Sequence, residues 1–190
     1  DCPEAGHLFD VNELGTMTLE DKFEKLKLLV FDVDGILTDN TVLMGGDGAE
    51  YKEFFIADGL AFYMAKMAGL KLALVSGRYS PATDSRAKEL GVDEVFQHSV
   101  DKAEIVARLI AKHNLTKEEV CFMGDDLVDL KVMKSVGAKI TVPHAAPQIK
   151  KVADYVTKKN GGQGAVRELI DMILEAKGID LESLWDGSDA

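Results

Sequence analysis

What most limits the fold of this chain is a rhythm of short apolar runs. Six recur along it: Leu28–Phe31, Leu72–Val75, Glu94–Phe96, Val120–Met123, Lys139–Val142 and Tyr155–Thr157. They do not alternate apolar with polar, as a strand with one wet face would, so they fit strands buried on both faces. Helical patterns of ten to fourteen residues separate most of them. Strand–helix alternation implies an α/β fold: a Rossmann-like parallel sheet flanked by helices on both faces. Chemistry in such a fold belongs at the carboxyl ends of the strands.

The helix ends are legible. Thr18 suits the cap of a short helix reaching toward Lys27, with Glu20 and Asp21 in its first turn. Asp58 is expected to cap Gly59–Ala68, which Gly69 closes. Ser80-Pro81 reads as a cap followed by Pro at the first helical position. Asp101 is expected to cap Lys102–His113, and Thr116-x-x-Glu119 has capping-box spacing for a single turn. A last helix spans about Gly164 to Ala176 and stops at Gly178. Residues 1–25 thus form an N-terminal extension with a short helix, 26–178 the α/β domain, and 179–190 a C-terminal tail.

One segment breaks the rhythm. Thr41–Met44, a glycine-rich turn at 45–48, and Ala49–Phe54 read as a β-hairpin directly after the first strand. Val42, Met44, Tyr51 and Phe54 are too apolar for a free ribbon, because an isolated hairpin is marginal in water. A surface hairpin or a flap over the site are alternatives; packing against a partner subunit is favoured.

Composition narrows the partners. The 190 residues carry 22 basic and 33 acidic side chains, a net charge of −11. That balance opposes general binding to nucleic acid or to an anionic membrane. No run of about 18 apolar residues is present to span a bilayer. Cys2 and Cys121 are far apart, and Cys121 lies in an apolar run, so no disulfide framework is expected. Asp1 to Leu8 lacks a basic region followed by an apolar one. The expected setting is cytoplasmic.

The strand exits share one chemistry. The first opens into Asp32-Val33-Asp34-Gly35, where two close carboxylates are costly without a cation; taken alone, the pair reads more readily as a turn or cap. The second opens into Ser76-Gly77-Arg78: a hydroxyl, a glycine N–H and a guanidinium that together suit an oxyanion. Lys102 stands in the first turn of a helix, where the macrodipole disfavours a cation, so it is either a solvated lysine or one turned toward an anion. The fourth strand opens into Gly124-Asp125-Asp126, with Asp129 following, and Asp126 is also a ready helix cap. Hard carboxylates without His or Cys clusters favour Mg²⁺ over Zn²⁺. Carboxylate, hydroxyl, lysine and Mg²⁺ together make a kit for phosphoryl transfer.

In their order these residues resemble the four motifs of the haloacid dehalogenase superfamily, over about residues 26–178. A signalling receiver domain uses similar groups, but Lys102 here precedes the second acidic cluster, which is not the receiver order. The runs Asp34–Asp39, Asp58-Gly59, Ser76-Gly77-Arg78 and Gly161–Glu168, with the hairpin, are similar to the capless branch acting on sugar-acid phosphates, which has no large cap domain.

The resemblance implies a Mg²⁺-dependent phosphomonoester hydrolase. Asp32 would form an aspartyl-phosphate, and Asp34 would move the proton of the leaving group. Asp32, the Asp34 carbonyl oxygen and Asp125 would hold the ion, with Asp126 and Asp129 supporting them. Ser76 and Lys102 would hold phosphoryl oxygens. Arg78 would bind the sugar-acid carboxylate, with Gly77, Asp58 and Gly59 nearby. Arg167 would bind substrate in its own or a neighbouring site, or else is simply a helix surface residue. The resemblance also implies four subunits joined through the hairpin 41–54. Ala57 and Gln163 stand where relatives usually carry basic residues. Arg78 favours an eight-carbon over a nine-carbon sugar acid, since some nine-carbon relatives carry Glu there. A non-catalytic domain associated with a sugar-acid cytidylyltransferase is a further alternative.

Overall fold

The computed structural model describes residues 17–186. Residues 1–16 of the expected N-terminal extension, Cys2 among them, and the last four residues lie outside them. In chain order the elements are α1 (Leu19–Lys25), β1 (Leu28–Phe31), β2 (Leu43–Met44), β3 (Glu50–Tyr51), α2 (Ile56–Met67), β4 (Lys71–Val75), α3 (Pro81–Glu89) and β5 (Glu94–Phe96). Then follow α4 (Lys102–Lys112), β6 (Val120–Met123), α5 (Leu130–Met133), β7 (Ala138–Thr141), α6 (Pro147–Lys150), β8 (Tyr155–Val156), α7 (Ala165–Ala176) and α8 (Leu181–Asp186).

Six strands form one sheet in the order β5-β4-β1-β6-β7-β8, with every pair parallel. β1 and β6 are buried along their whole length, which is why neither alternates in sequence. The edge strand β5 is only partly covered. From β1 the chain steps to β4 and β5 on one side, then crosses to β6, β7 and β8 on the other. Right-handed crossovers therefore put α2 and α3 on one face and α4 to α6 on the opposite face. α7 returns to pack on α2 and α1. The reversal beside β1 opens a crevice at the carboxyl ends of β1, β4 and β6, the usual place for a ligand in such sheets.

Most expected ends hold. Thr18 forms a full capping box on α1, whose Phe23 is buried in the core. The Asp101 carboxylate accepts from the Glu104 N–H at 3.1 Å at the head of α4. Thr116 and Glu119 cap a single 3-10 turn. Asp58 differs from expectation. α2 begins at Ile56 with Phe55 at its cap position, so Asp58 lies inside the first turn. Its Oδ1 instead accepts the Arg167 N–H of α7 at 2.8 Å. Ser80 precedes Pro81 as expected, but its hydroxyl makes no hydrogen bond; its N–H donates to Gln97 Oε1 at 2.8 Å. The tail contains α8, which the sequence did not reveal.

The hairpin forms as a two-stranded ribbon, with Leu43 opposite Tyr51 and Met44 opposite Glu50. Leu43, Met44 and Tyr51 are exposed, as is Ile56 on the adjoining helix.

Candidate active site

The sheet brings the separated motifs together. Asp32 leaves β1 with its N–H bonded to the Met123 carbonyl of β6 at 2.9 Å. Ser76 leaves β4, hydrogen-bonded through its N–H to Phe96 on β5 at 2.8 Å. Lys102, in the first turn of α4, points inward rather than to water. Its Nζ lies 2.5 Å from Asp32 Oδ2 and 2.7 Å from Asp129 Oδ1, and all three side chains are buried. The inward reading of Lys102 therefore holds over the solvated one.

Asp125 completes the cluster: carboxylate oxygens of Asp32, Asp125 and Asp129 lie within 4.8 Å of one another. Burial, reinforced by the Asp129 charge, pushes Asp32 up to about 7 against the pull of Lys102. Burial, with Asp129 and Asp126 adding to it, pushes Asp125 up to about 7 as well. Burial also pulls the Lys102 ammonium down, but Asp32 and Asp129 together hold it above its ordinary value. When the three carboxylates are ionised, one ammonium leaves two negative charges uncompensated. A divalent cation matches that deficit, and an all-oxygen donor set suits Mg²⁺. The residues present thus fit the ion.

Local chemistry explains the geometry. Asp129 is fully buried, and its Oδ2 accepts the Asp125 N–H at 3.0 Å and the Asp126 N–H at 3.3 Å. It thereby folds the loop that presents Asp125. Asp126 is exposed and caps the next turn, accepting from the Leu127 N–H at 2.7 Å. The cap reading is the one its contacts support. Gly35 sits at φ +87°, and any Cβ there would overlap the Asp125 carboxylate, so only glycine lets the two loops meet. A Cβ at Gly161 would likewise overlap the Gly35 carbonyl, and the Gly162 N–H donates to the Ile36 carbonyl at 3.0 Å. The glycine-rich turn before α7 thus seats directly on the Asp32–Thr38 loop.

The remaining predicted residues divide into two groups. The Ser76 hydroxyl is buried and accepts the Arg78 N–H at 3.2 Å, with Gly77 between them. The Arg78 side chain is half exposed and pairs with Glu50 at 2.6 Å. Asp58, Gly59 and Arg167 are engaged elsewhere. Asp58 holds the first turn of α7, and a Cβ at Gly59 would meet Arg86 and Leu90 of the neighbouring helix. The Arg167 Nε donates to both Asp171 oxygens at 2.8 Å on the helix surface.

Four residues at the site escaped the sequence reading. The Lys52 ammonium pairs with Asp34, its side chain wholly buried, and Glu50 Oε1 lies 3.8 Å from it. His144 Nε2 lies 3.7 Å from Asp125 Oδ2, and Asn40 Nδ2 donates to the same oxygen at 3.5 Å. The only sequence signal for the first two was a Glu-x-Lys pair on the hairpin; the other two had none.

The sequence profile of the haloacid dehalogenase-like hydrolases matches residues 91–170, from just before β5 into α7. A curated relative, 3-deoxy-D-manno-octulosonate 8-phosphate phosphatase KdsC of Escherichia coli K12, is 38% identical over 157 residues, which cover 83% of this chain and 84% of that protein. The crystal structure of the phosphatase of the same name from Moraxella catarrhalis, in complex with a magnesium ion, a phosphate ion and a KDO molecule, is similar at a TM-score of 0.82 and 40% identity. The match covers 84% of this chain and 91% of that one. The cobalt-bound deoxy-D-mannose-octulosonate 8-phosphate phosphatase of Haemophilus influenzae is similar at a TM-score of 0.81 and 35% identity, covering 88% and 96%.

Proposed function

Since the chain belongs to the KdsC family of 3-deoxy-D-manno-octulosonate 8-phosphate phosphatases, within the haloacid dehalogenase-like hydrolases, we propose that it hydrolyses the phosphate ester of that eight-carbon sugar acid with Mg²⁺ as cofactor. The observation that carries this reading is the convergence of Lys102 on Asp32 and Asp129, with Asp125 beside them, at the end of the central strand.

Asp32 is the nucleophile. Its Oδ1 accepts the Val33 N–H at 2.7 Å and its Oδ2 meets Lys102, which fixes the carboxylate in one orientation. Attack forms a bond from Asp32 oxygen to phosphorus and breaks the bond to the sugar oxygen, leaving an aspartyl-phosphate. Asp34 gives its proton to the departing alkoxide and later takes one from the water that cleaves the acyl-phosphate. Lys102 and the Ser76 hydroxyl hold the non-bridging oxygens, so charge is met by donors already in place. Asp32, the Asp34 carbonyl oxygen and Asp125 would hold Mg²⁺, which when bound neutralises phosphate charge. Arg78 receives the substrate carboxylate. The exposed cross-strand pair Leu43 and Tyr51 on one face of the hairpin supports a homotetramer joined there. The free, buried Cys121 agrees with a cytoplasmic setting.

The test is phosphate release from 3-deoxy-D-manno-octulosonate 8-phosphate and from a nine-carbon sugar-acid 9-phosphate, with Mg²⁺ and with chelator. The eight-carbon ester should be preferred, chelation should stop turnover, and Asp32→Asn should lose at least about a thousandfold in kcat. Preference for the nine-carbon ester would refute the substrate, and full activity in Asp32→Asn the mechanism.

A further inference from the structure

Four charged side chains link the two ends of the candidate site: Asp34, Lys52, Glu50 and Arg78. Lys52 pairs with Asp34 from a position with no exposed side-chain surface. Glu50, two residues earlier on the hairpin, divides its carboxylate. Oε2 accepts from Arg78 Nη2 at 2.6 Å. Oε1 is buried without a hydrogen-bond partner, 3.8 Å from the Lys52 ammonium. The signs alternate along the row. One end is the residue assigned to proton transfer, and the other is the guanidinium assigned to the substrate carboxylate.

We infer that Glu50 is a built-in stand-in for the substrate carboxylate and that Lys52 is the positioning residue to which it yields. This rests on the reading of Arg78 given above. A guanidinium engaged by Glu50 must exchange one carboxylate for another when a sugar acid binds. The released Glu50 has a ready partner, because its orphaned oxygen already faces Lys52 just outside hydrogen-bond distance. A buried carboxylate oxygen without a partner is costly, so the bound state repairs a defect that the free state carries. Lys52 keeps the Asp34 carboxylate oriented, and drawing Glu50 toward Lys52 loosens the grip on Asp34 only when a substrate carboxylate is seated. A phosphate ester without a carboxylate leaves Glu50 on Arg78 and gains none of this. The pair therefore discriminates by the far end of the substrate, and the hairpin takes part in chemistry as well as assembly.

Steady-state kinetics of the full chain on the sugar-acid phosphate and on p-nitrophenyl phosphate test this. Glu50→Gln removes the competitor, so KM for the sugar-acid phosphate should fall about two- to fivefold, the range for a half-exposed ion pair, while KM for p-nitrophenyl phosphate stays put. Lys52→Met should lower kcat on both esters by about tenfold or more at unchanged KM. Lys52→Arg should restore much of that loss, which a purely structural role would not predict. An unmoved or raised sugar-acid KM in Glu50→Gln, or equal shifts on both esters, overturns the stand-in. Unchanged kcat in Lys52→Met, or no recovery in Lys52→Arg, overturns the positioning role. If the unsubstituted enzyme cleaves only p-nitrophenyl phosphate, the sugar-acid reading fails and takes the stand-in with it. Normal wild-type turnover on the sugar-acid phosphate, with kinetics unchanged by either substitution, refutes the pair alone. Glu50→Gln decides the first point even if Lys52→Met does not fold.

Discussion

Asp58 shows what burial does to a single side chain outside the cluster of buried carboxylates. Its Oδ1 takes the Arg167 N–H, but Oδ2 has no partner, and burial outweighs the bonds from α7 to push the group up to about 6. The ionised form is therefore disfavoured in the folded chain. Its contribution to stability is complete below the ordinary carboxylate range, and it is lost as pH rises from about 4 through 6. Relative to Asp58→Asn, which cannot ionise, the wild-type protein should lose stability across that window, by at most about 3 kcal/mol, in denaturant titrations run at several pH values. A constant difference between the two would show that Asp58 ionises normally. At this scale the sequence was informative where local order decides the outcome. Asp32 and Ser76 follow buried strands directly and Asp125 follows one residue on, so their positions come with the strands. Lys52 and Glu50 reach the site only because the hairpin folds back over it, and the Asp58 partner lies 109 residues away. No local pattern encodes such approaches.

The elements were legible in proportion to how far their own residues set them. β1 and β6 are unbroken apolar runs buried throughout, and they appear where the sequence put them. The capping box at Thr18 and the cap at Asp101 fixed two helix starts. The start of α2 was misplaced because a tertiary demand, holding the first turn of α7, claimed the carboxylate that looked like its cap. α8 was missed because its six residues are too few to show a period. The hairpin is the element whose environment decides most. Its exposed cross-strand pair Leu43 and Tyr51 offers an apolar face that a lone ribbon does not satisfy. Leu43→Asp should shift the proposed tetramer toward smaller species in sedimentation or light scattering, with each subunit still folded. An unchanged mass would remove the hairpin from the interface.

At the level of the whole molecule, an ion held by the cluster of carboxylates would couple binding to folding. Asp32, Asp125 and Asp129 hold more negative charge than Lys102 offsets, so the folded chain gains from a divalent ion in a way the unfolded chain does not. Mg²⁺ at about a hundred times its Kd should stabilise the protein by about 2.7 kcal/mol, raising Tm by about 5–10 °C. Asp125→Asn should lose most of that rise in calorimetry; an undiminished rise would place the ion elsewhere. The turn at Gly161 has a bearing on biosynthesis as well. The loop that carries Asp32 is made early, yet its neighbour across the Gly35 carbonyl is translated more than a hundred residues later. The Asp32–Thr38 loop therefore lacks that packing partner until the Gly161 turn has been synthesised.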